Sequence, residues 1–233
     1  MAIVIERDLL ISLLKLTKNG HILIKDVNND SRLASDISRK LLENLQNEGL
    51  VYLKEDFVEI DSANRLRLAI KAASMGADFE RVSAFFSWQE FEGAAALALE
   101  RNGYIVAKNV RFKHADRRWE IDVIGCRKPL VVCVDCKRWQ RGLKPSALGK
   151  IVEAQLERAH ALADVLPNTE LKIECVKWNK AKFIPVILSL FPSSFKFYKN
   201  VPVVPVLQLQ DFLCQLPAQL ESLKYFVKRF SHL

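Results

Sequence analysis

The sequence predicts an α/β fold: a mixed sheet flanked by helices, preceded by a small α+β domain. Three observations predict it. From Trp88 onward strand-like runs alternate with helical periodicities. Before residue 62 two helical stretches are followed by a short hairpin, and half of the 233 residues are apolar, enough for a buried core. At roughly 150 residues per domain, this length fits one large domain or two small ones.

In the amino-terminal part, residues 6–16 carry apolar side chains at 9, 10, 13, 14 and 16, a helical spacing that ends at Asn19 and Gly20. A short segment at 21–24 follows. Ser31 then opens a longer helix with Leu33, Ile37, Leu41, Leu42 and Leu45 on one face, stopping at Gly49. Residues 50–54 and 57–60 read as two short strands around Glu55 and Asp56. This order resembles a winged helix-turn-helix domain over about residues 1–65, and the domain is assigned to 1–75. The resemblance implies a recognition helix at 31–48 presenting Arg32, Ser35, Arg39 and Lys40. Residues 1–75 hold 11 basic and 11 acidic side chains. Because such helices serve either DNA or a partner protein, both uses stay open for this neutral segment. Helical spacing continues through 62–86, so 76–87 is a helical connector and the second domain is 88–233.

That second domain opens with an amphipathic helix at 88–102, closed by Gly103. Strands follow at 104–112, 118–125 and 130–138. Pro145 and Ser146 open a helix to about 165, followed by strands near 183–190 and 203–207 and a helix at 210–216.

The net charge of +8 is local. Residues 101–150 hold 13 Lys plus Arg against 4 Asp plus Glu, an excess of nine that leaves the remainder at −1. A basic block of this kind suits a polyanion such as nucleic acid, or is a solvated face. Five cysteines, an odd number without an export signal, point to reduced thiols and a cytoplasmic setting. Cys133 and Cys136 sit three apart on a strand, face opposite ways and have no second pair, which argues against zinc. No apolar stretch approaches the ~20 residues of a bilayer span, so no membrane is expected. There is neither a Gly-rich phosphate loop nor a serine-hydrolase nucleophile motif.

Glu120 and Asp122 share one strand face, as do Asp135 and Lys137 on the next strand. The turn at 126–129 is short enough for a hairpin, which sets Asp122 nearly opposite Asp135. Converging carboxylates require a cation, and oxygen ligands suit Mg²⁺ or Mn²⁺. Alternatively, Asp135 and Lys137 form a structural ion pair at a sheet edge.

These residues resemble the PD-(D/E)XK, restriction-endonuclease-like, nuclease superfamily over 88 to about 213. Trp88-Gln-Glu-Phe-Glu92 resembles the opening of its first helix, Glu120-Ile-Asp122 the strand with the motif aspartate, and Asp135-Cys-Lys137 the (D/E)XK element. Gln155 resembles a glutamine found near the site in some branches. The sequence departs from the pattern at Ile121, where a proline would precede the aspartate.

The resemblance implies metal-dependent hydrolysis of DNA phosphodiesters. Asp122, Asp135 and the Cys136 carbonyl would hold Mg or Mn, and Lys137 would position or help deprotonate the attacking water. Glu92 would bind the metal directly or through water, with Glu120 as its alternative; otherwise Glu92 is a solvated first-turn carboxylate. Gln155 completes the expected catalytic set. Lys108, Arg111, Lys113, Arg117, Arg118, Arg127, Arg138, Arg141 and Lys144 would contact DNA, joined by Arg32, Arg39 and Lys40. Trp139 either stacks on a base or packs at the strand end, His114 either assists protonation or is an exposed loop histidine, and His160 has no companion that makes a catalytic set. The expected activity is a structure-specific endonuclease of repair and recombination, or a restriction enzyme, acting as a homodimer or with a repair protein recruited by the winged helix. The alternative is a catalytically inactive DNA-binding or protein-interaction module on the same scaffold.

Overall fold

The computed structural model describes residues 2–137, 145–167 and 170–230. It divides into two compact units, up to Phe91 and from Glu92. The first contains α1 (Ala2–Leu16), β1 (Ile22–Leu23), α2 (Ile24–Ser31), α3 (Ser35–Asn47), β2 (Tyr52–Lys54), β3 (Phe57–Glu59), α4 (Ser62–Ser74) and α5 (Phe79–Ser83). The three strands form an antiparallel sheet in the order β1-β3-β2. Leu9, Leu10, Leu13 and Leu14 of α1 are fully buried, as the spacing predicts.

The helix expected at 31–48 begins later, as α3 at Ser35, and a separate helix, α2, precedes it at Ile24–Ser31. Ser31 does not open α3; its hydroxyl donates to the Val27 carbonyl at 2.6 Å and closes α2. Arg32 then turns the chain with a left-handed backbone, φ 55°. The α2 helix escapes sequence reading because Asp26, Asn28, Asn29 and Asp30 are poor helix formers, and only Ile24 and Val27 are buried to hold it. On α3, Leu42 and Leu45 are buried but Ile37 is exposed, so the apolar face is narrower than expected.

Another feature that apolar periodicity cannot disclose is the buried guanidinium of Arg65. It donates to Glu90 at 2.8 Å, to the Leu14 carbonyl at 3.0 Å, to Thr17 Oγ1 at 2.6 Å and to the Phe85 carbonyl at 2.8 Å. Each nitrogen is thereby satisfied, which is what permits a charge to sit in the core.

Next comes α6 (Trp88–Arg101), opened by a reciprocal cap. The Glu90 N–H donates to Ser87 Oγ at 3.1 Å, and the Ser87 N–H to the Glu90 carboxylate at 2.7 Å. The second unit continues with β4 (Ile105–His114), β5 (Arg117–Arg127), β6 (Leu130–Lys137), α7 (Pro145–Val165), β7 (Lys180–Ser189), β8 (Phe197–Tyr198), β9 (Val201–Pro205), α8 (Leu209–Gln219) and β10 (Phe226–Arg229). The sheet runs β4-β5-β6-β7-β9-β8, with β10 also paired to β7. The β4, β5 and β6 strands are antiparallel, whereas β6, β7 and β9 are parallel, so this is the mixed sheet flanked by helices that the sequence predicts. Strand β6 is buried throughout except at Lys137, as the near-continuous apolar run of a central parallel strand requires. The β10 strand, four residues of mixed polarity, had no periodicity long enough to announce it.

One face of β4, β5 and β6 packs on α7: Ile124, Cys126, Val131 and Cys133 share a core with Ala159, Ala161 and Leu162. On the other face Gly125 admits α6. A Cβ at Gly125 would stand 2.7 Å from Leu99 Cδ2 and 3.2 Å from the Tyr104 ring. Leu99 is fully buried and has little room to yield. Gly125→Ala is therefore expected to destabilise the fold by about 1–3 kcal/mol in urea unfolding, by pushing α6 off the sheet.

Candidate active site

The β5–β6 ladder starts at Arg127↔Leu130 and runs through Val123↔Val134. One step further along the same register, Asp122 faces Asp135. There the backbone N–H of Cys136 donates to the Asp122 carboxylate at 2.7 Å. A side chain thus receives a main-chain donor, which holds the Asp122 carboxyl at the carboxyl end of β6. In open α/β sheets this end of a parallel strand is where ligands bind.

Asp135 is 3 % exposed and bracketed by cations. Lys137 Nζ lies 3.0 Å from Oδ1 and 2.9 Å from Oδ2. The Arg158 guanidinium of α7 lies 3.4 Å from Oδ1. Only the Lys137–Oδ1 contact is an aligned hydrogen bond; Asp135 Oδ2 and Arg158 Nη1 are buried and close to opposite charge without one. Gln155, one turn before Arg158, is fully buried. Its Nε2 donates to the Cys133 carbonyl at 2.8 Å, and its Oε1 has no hydrogen-bond partner. Two buried polar atoms without a hydrogen bond, Asp135 Oδ2 and Arg158 Nη1, therefore meet at Asp135, with Gln155 Oε1 buried one helical turn away on α7.

Burial pushes the Asp122 carboxyl up to about 6; the Cys136 N–H and Lys137 oppose the rise, while Asp135 and Glu92 add to it. The Cys136 thiol is pushed up by burial and then by the charges of Asp122, Glu92 and Asp135. Glu92 of α6 is 5 % exposed, so it is not a solvated first-turn carboxylate.

The structure thus brings Glu92, Asp122, Asp135, Cys136, Lys137 and Gln155 together, and adds Arg158. Sequence reasoning missed Arg158, although its spacing of three from Gln155 puts both on one helix face. Cys136 is seen through its N–H on Asp122 rather than through its carbonyl. Glu120 stands apart: it is exposed and paired with Arg111 at 3.1 Å. Arg127 is employed elsewhere, donating to the Asn102 carbonyl at 3.0 Å and lying over the Tyr104 ring, five residues or about 17 Å of strand from Asp122.

Arg111, Lys113 and Arg118 line a groove of about 830 Å³ with Phe112 and Trp119. Arg117 stacks on Trp119 and pairs with Glu157 at 3.0 Å, and Lys108 is exposed. Arg32, Arg39 and Lys40 are exposed in the first unit, with Arg39 beside Glu43 at 3.6 Å. Arg138, Trp139, Arg141 and Lys144 lie outside the described residues. His114 and His160 both approach Asp164, at 3.7 and 2.9 Å. The buried Cys133 packs in the α7-facing core. Among the described residues no helix is long and apolar enough to cross a membrane.

Among the described residues no group of three His, Cys, Asp or Glu side chains stands ready to hold a metal. The donors present nonetheless fit a hard divalent ion, which commonly takes one or two carboxylates and completes its shell with water and substrate phosphate. The supporting observations are the Asp135 oxygen without a hydrogen bond and the Asp122 carboxyl, raised first by burial and further by Asp135 and Glu92.

Residues 87–182, which contain all of these groups, match the nuclease-related domain, NERD. A protein of Archaeoglobus fulgidus described as uncharacterized is 28% identical over 130 residues, covering 55% of this chain and 91% of its own. Two solved structures show slighter likeness, each at 14% identity. Protein VC1899 from Vibrio cholerae aligns with 95% of this chain at a TM-score of 0.37, and the restriction endonuclease FokI with 92% at 0.39. The chain spans about half the length of each, 53% and 44%.

A carboxyl raised to about 6 costs stability when it must ionise. The folded state holds its proton more tightly than the unfolded chain, so stability falls as pH rises from about 4 to about 6 and stays reduced above. Metal-free Asp122→Asn is therefore expected to melt higher than wild type at pH 7.5, the difference vanishing near pH 3.5. Thermal denaturation across this range, in EDTA, checks it.

Proposed function

We propose that the chain is a divalent-metal-dependent DNA endonuclease whose catalytic centre is Asp122, Asp135 and Lys137. The observation that carries this reading is the meeting of two aspartates from adjacent strands beside one lysine, at the carboxyl end of β6, within the segment that matches a nuclease-related domain. Asp122 and Asp135 would hold Mg or Mn, with the Cys136 carbonyl and Glu92, directly or through water, as further donors. Such an ion supplies Lewis-acid stabilisation of the charge that builds on the phosphate.

The chain's own residues do the rest. Lys137 orients the attacking water and offsets negative charge at the phosphorus. Gln155, fixed through Cys133, buttresses the floor of β6. Arg158 stands against Asp135 in the metal-free protein and would give way when an ion binds there. Lys108, Arg111, Lys113, Arg117 and Arg118 seat the DNA backbone, which gives affinity without reading sequence.

Helices α1 to α3 with the three-stranded β1-β3-β2 sheet support reading the first unit as a winged helix, with Arg32, Arg39 and Lys40 of its exposed face meeting DNA or a repair-protein partner. A homodimer would set two such centres on the two strands of a duplex. Structure-specific cleavage in repair, or restriction, within the cytoplasm is the setting this reading favours.

One observation favours the rival, a catalytically inactive binding module: Asp135 already has two cations against it. Metal titration separates the two readings. For the nuclease, Asp135→Ala reduces Mn²⁺-dependent cleavage of linear, flapped and four-way DNA to the metal-free background while leaving DNA affinity unchanged. Arg158→Gln, by freeing one side of Asp135, tightens Mn²⁺ binding measured by calorimetry. A wild-type protein that binds DNA with a steep salt dependence but neither binds nor uses Mn²⁺ is the inactive module.

A further inference from the structure

We propose that Asn109 is a positioning residue: its left-handed backbone resets the alternation of β4 and β5 and turns Asp122 away from the core under α7 toward the side of the sheet that carries α6. The consequence for metal binding rests on the nuclease reading above, but the positioning itself does not.

Seven described non-glycine residues have a positive φ. Six of them, Arg32, Glu55, Ala115, Asp116, Lys199 and Asn200, lie in turns or at a helix end. Asn109, at φ 53°, is the one inside a strand. Asparagine is the side chain, after glycine, that tolerates this conformation best, and a β-branched residue tolerates it least.

Its place in the register is specific. Lys108 pairs with Val123 and Val110 with Ile121, so the residue standing across from Asn109 is Asp122. On both strands the face changes at this point. Ala107 and Val110, three apart, pack on the same core under α7, and so do Ile121 and Ile124. A regular strand with its period of two cannot place residues three apart on one face. Gly125 marks the opposite side, where it lies against Leu99 of α6. Asp122 is three residues from Gly125 and feels the charge of Glu92, also on α6. Without the reset Asp122 would share the parity of Ile124 and point into an apolar core. With it, the carboxylate reaches the Cys136 N–H instead.

The Cys136 amide is therefore a direct reporter of where Asp122 points, independent of metal and of activity. Asn109→Gly keeps the left-handed backbone accessible; Asn109→Val and the milder Asn109→Ala oppose it. Amide NMR and hydrogen exchange of Cys136 in the full chain, with Asp122→Ala as the reference for a lost bond, are expected to leave Asn109→Gly at wild type. Asn109→Val moves to the Asp122→Ala shift, and Mn²⁺ affinity by calorimetry falls roughly 10–100-fold, as when the partner that orients a ligand is lost. If the valine variant does not fold, the alanine variant decides, with a Cys136 amide displaced toward the reference. An unchanged Cys136 amide in the folded valine or alanine variant overturns the proposal. So does a glycine variant that behaves as valine, since the backbone would then not be the cause. A displaced amide in a protein whose wild type binds no Mn²⁺ leaves the positioning standing and removes the nuclease reading.

Discussion

The structure of the second unit turns on one electrostatic constraint: a half-buried carboxyl at Asp122 lies close to two further carboxylates. Burial alone disfavours its ionised form, and Asp135 and Glu92 compound the cost. Two local responses are visible. The Cys136 N–H leaves the strand ladder to reach Asp122, and Lys137 and Arg158 close on Asp135. A divalent ion between Asp122 and Asp135 would relieve the same cost, since its charge favours the ionised form of both.

The surrounding architecture reads as support for that arrangement. The apolar β6 strand is central; its carboxyl end stays paired with the parallel β7, while the ladder to β5 stops at Val134 and leaves that edge to the Asp122 carboxylate. Gly125 lets α6 lie close enough to bring Glu92 to the face where Asp122 emerges, while α7 presents Gln155 and Arg158 from the other side. Asn109 reconciles the two layers: it gives β5 an apolar face toward α7 without committing Asp122 to it. A strained residue beside a chemically demanding one is where local sequence rules are expected to yield to function.

How much of this the sequence disclosed follows from what periodicity can carry. Long amphipathic helices and apolar strands announced themselves, and α7 was found to its ends because Pro145 and a long regular face define it. The charged set Asp122, Asp135 and Lys137 was legible because charged residues inside apolar strands are conspicuous. The α2 helix was not, since Asn and Asp dominate it and tertiary packing of two side chains holds it. The β10 strand was too short to show a period. Arg158 and Arg127 looked alike as sequence, yet one joins the site and the other closes the end of α6; only the fold distinguishes them. The reset at Asn109 ran against the alternation by which strand faces are read, so parity could not have shown it.

The most direct test of the account is a crystal of the protein soaked in Mn²⁺ and measured at an energy where manganese scatters anomalously. The account predicts a single strong peak about 2.1 Å from carboxylate oxygens of both Asp122 and Asp135, with Arg158 displaced from Asp135. A fully soaked crystal with no peak there, and with Lys137 and Arg158 still closed on Asp135, would contradict it.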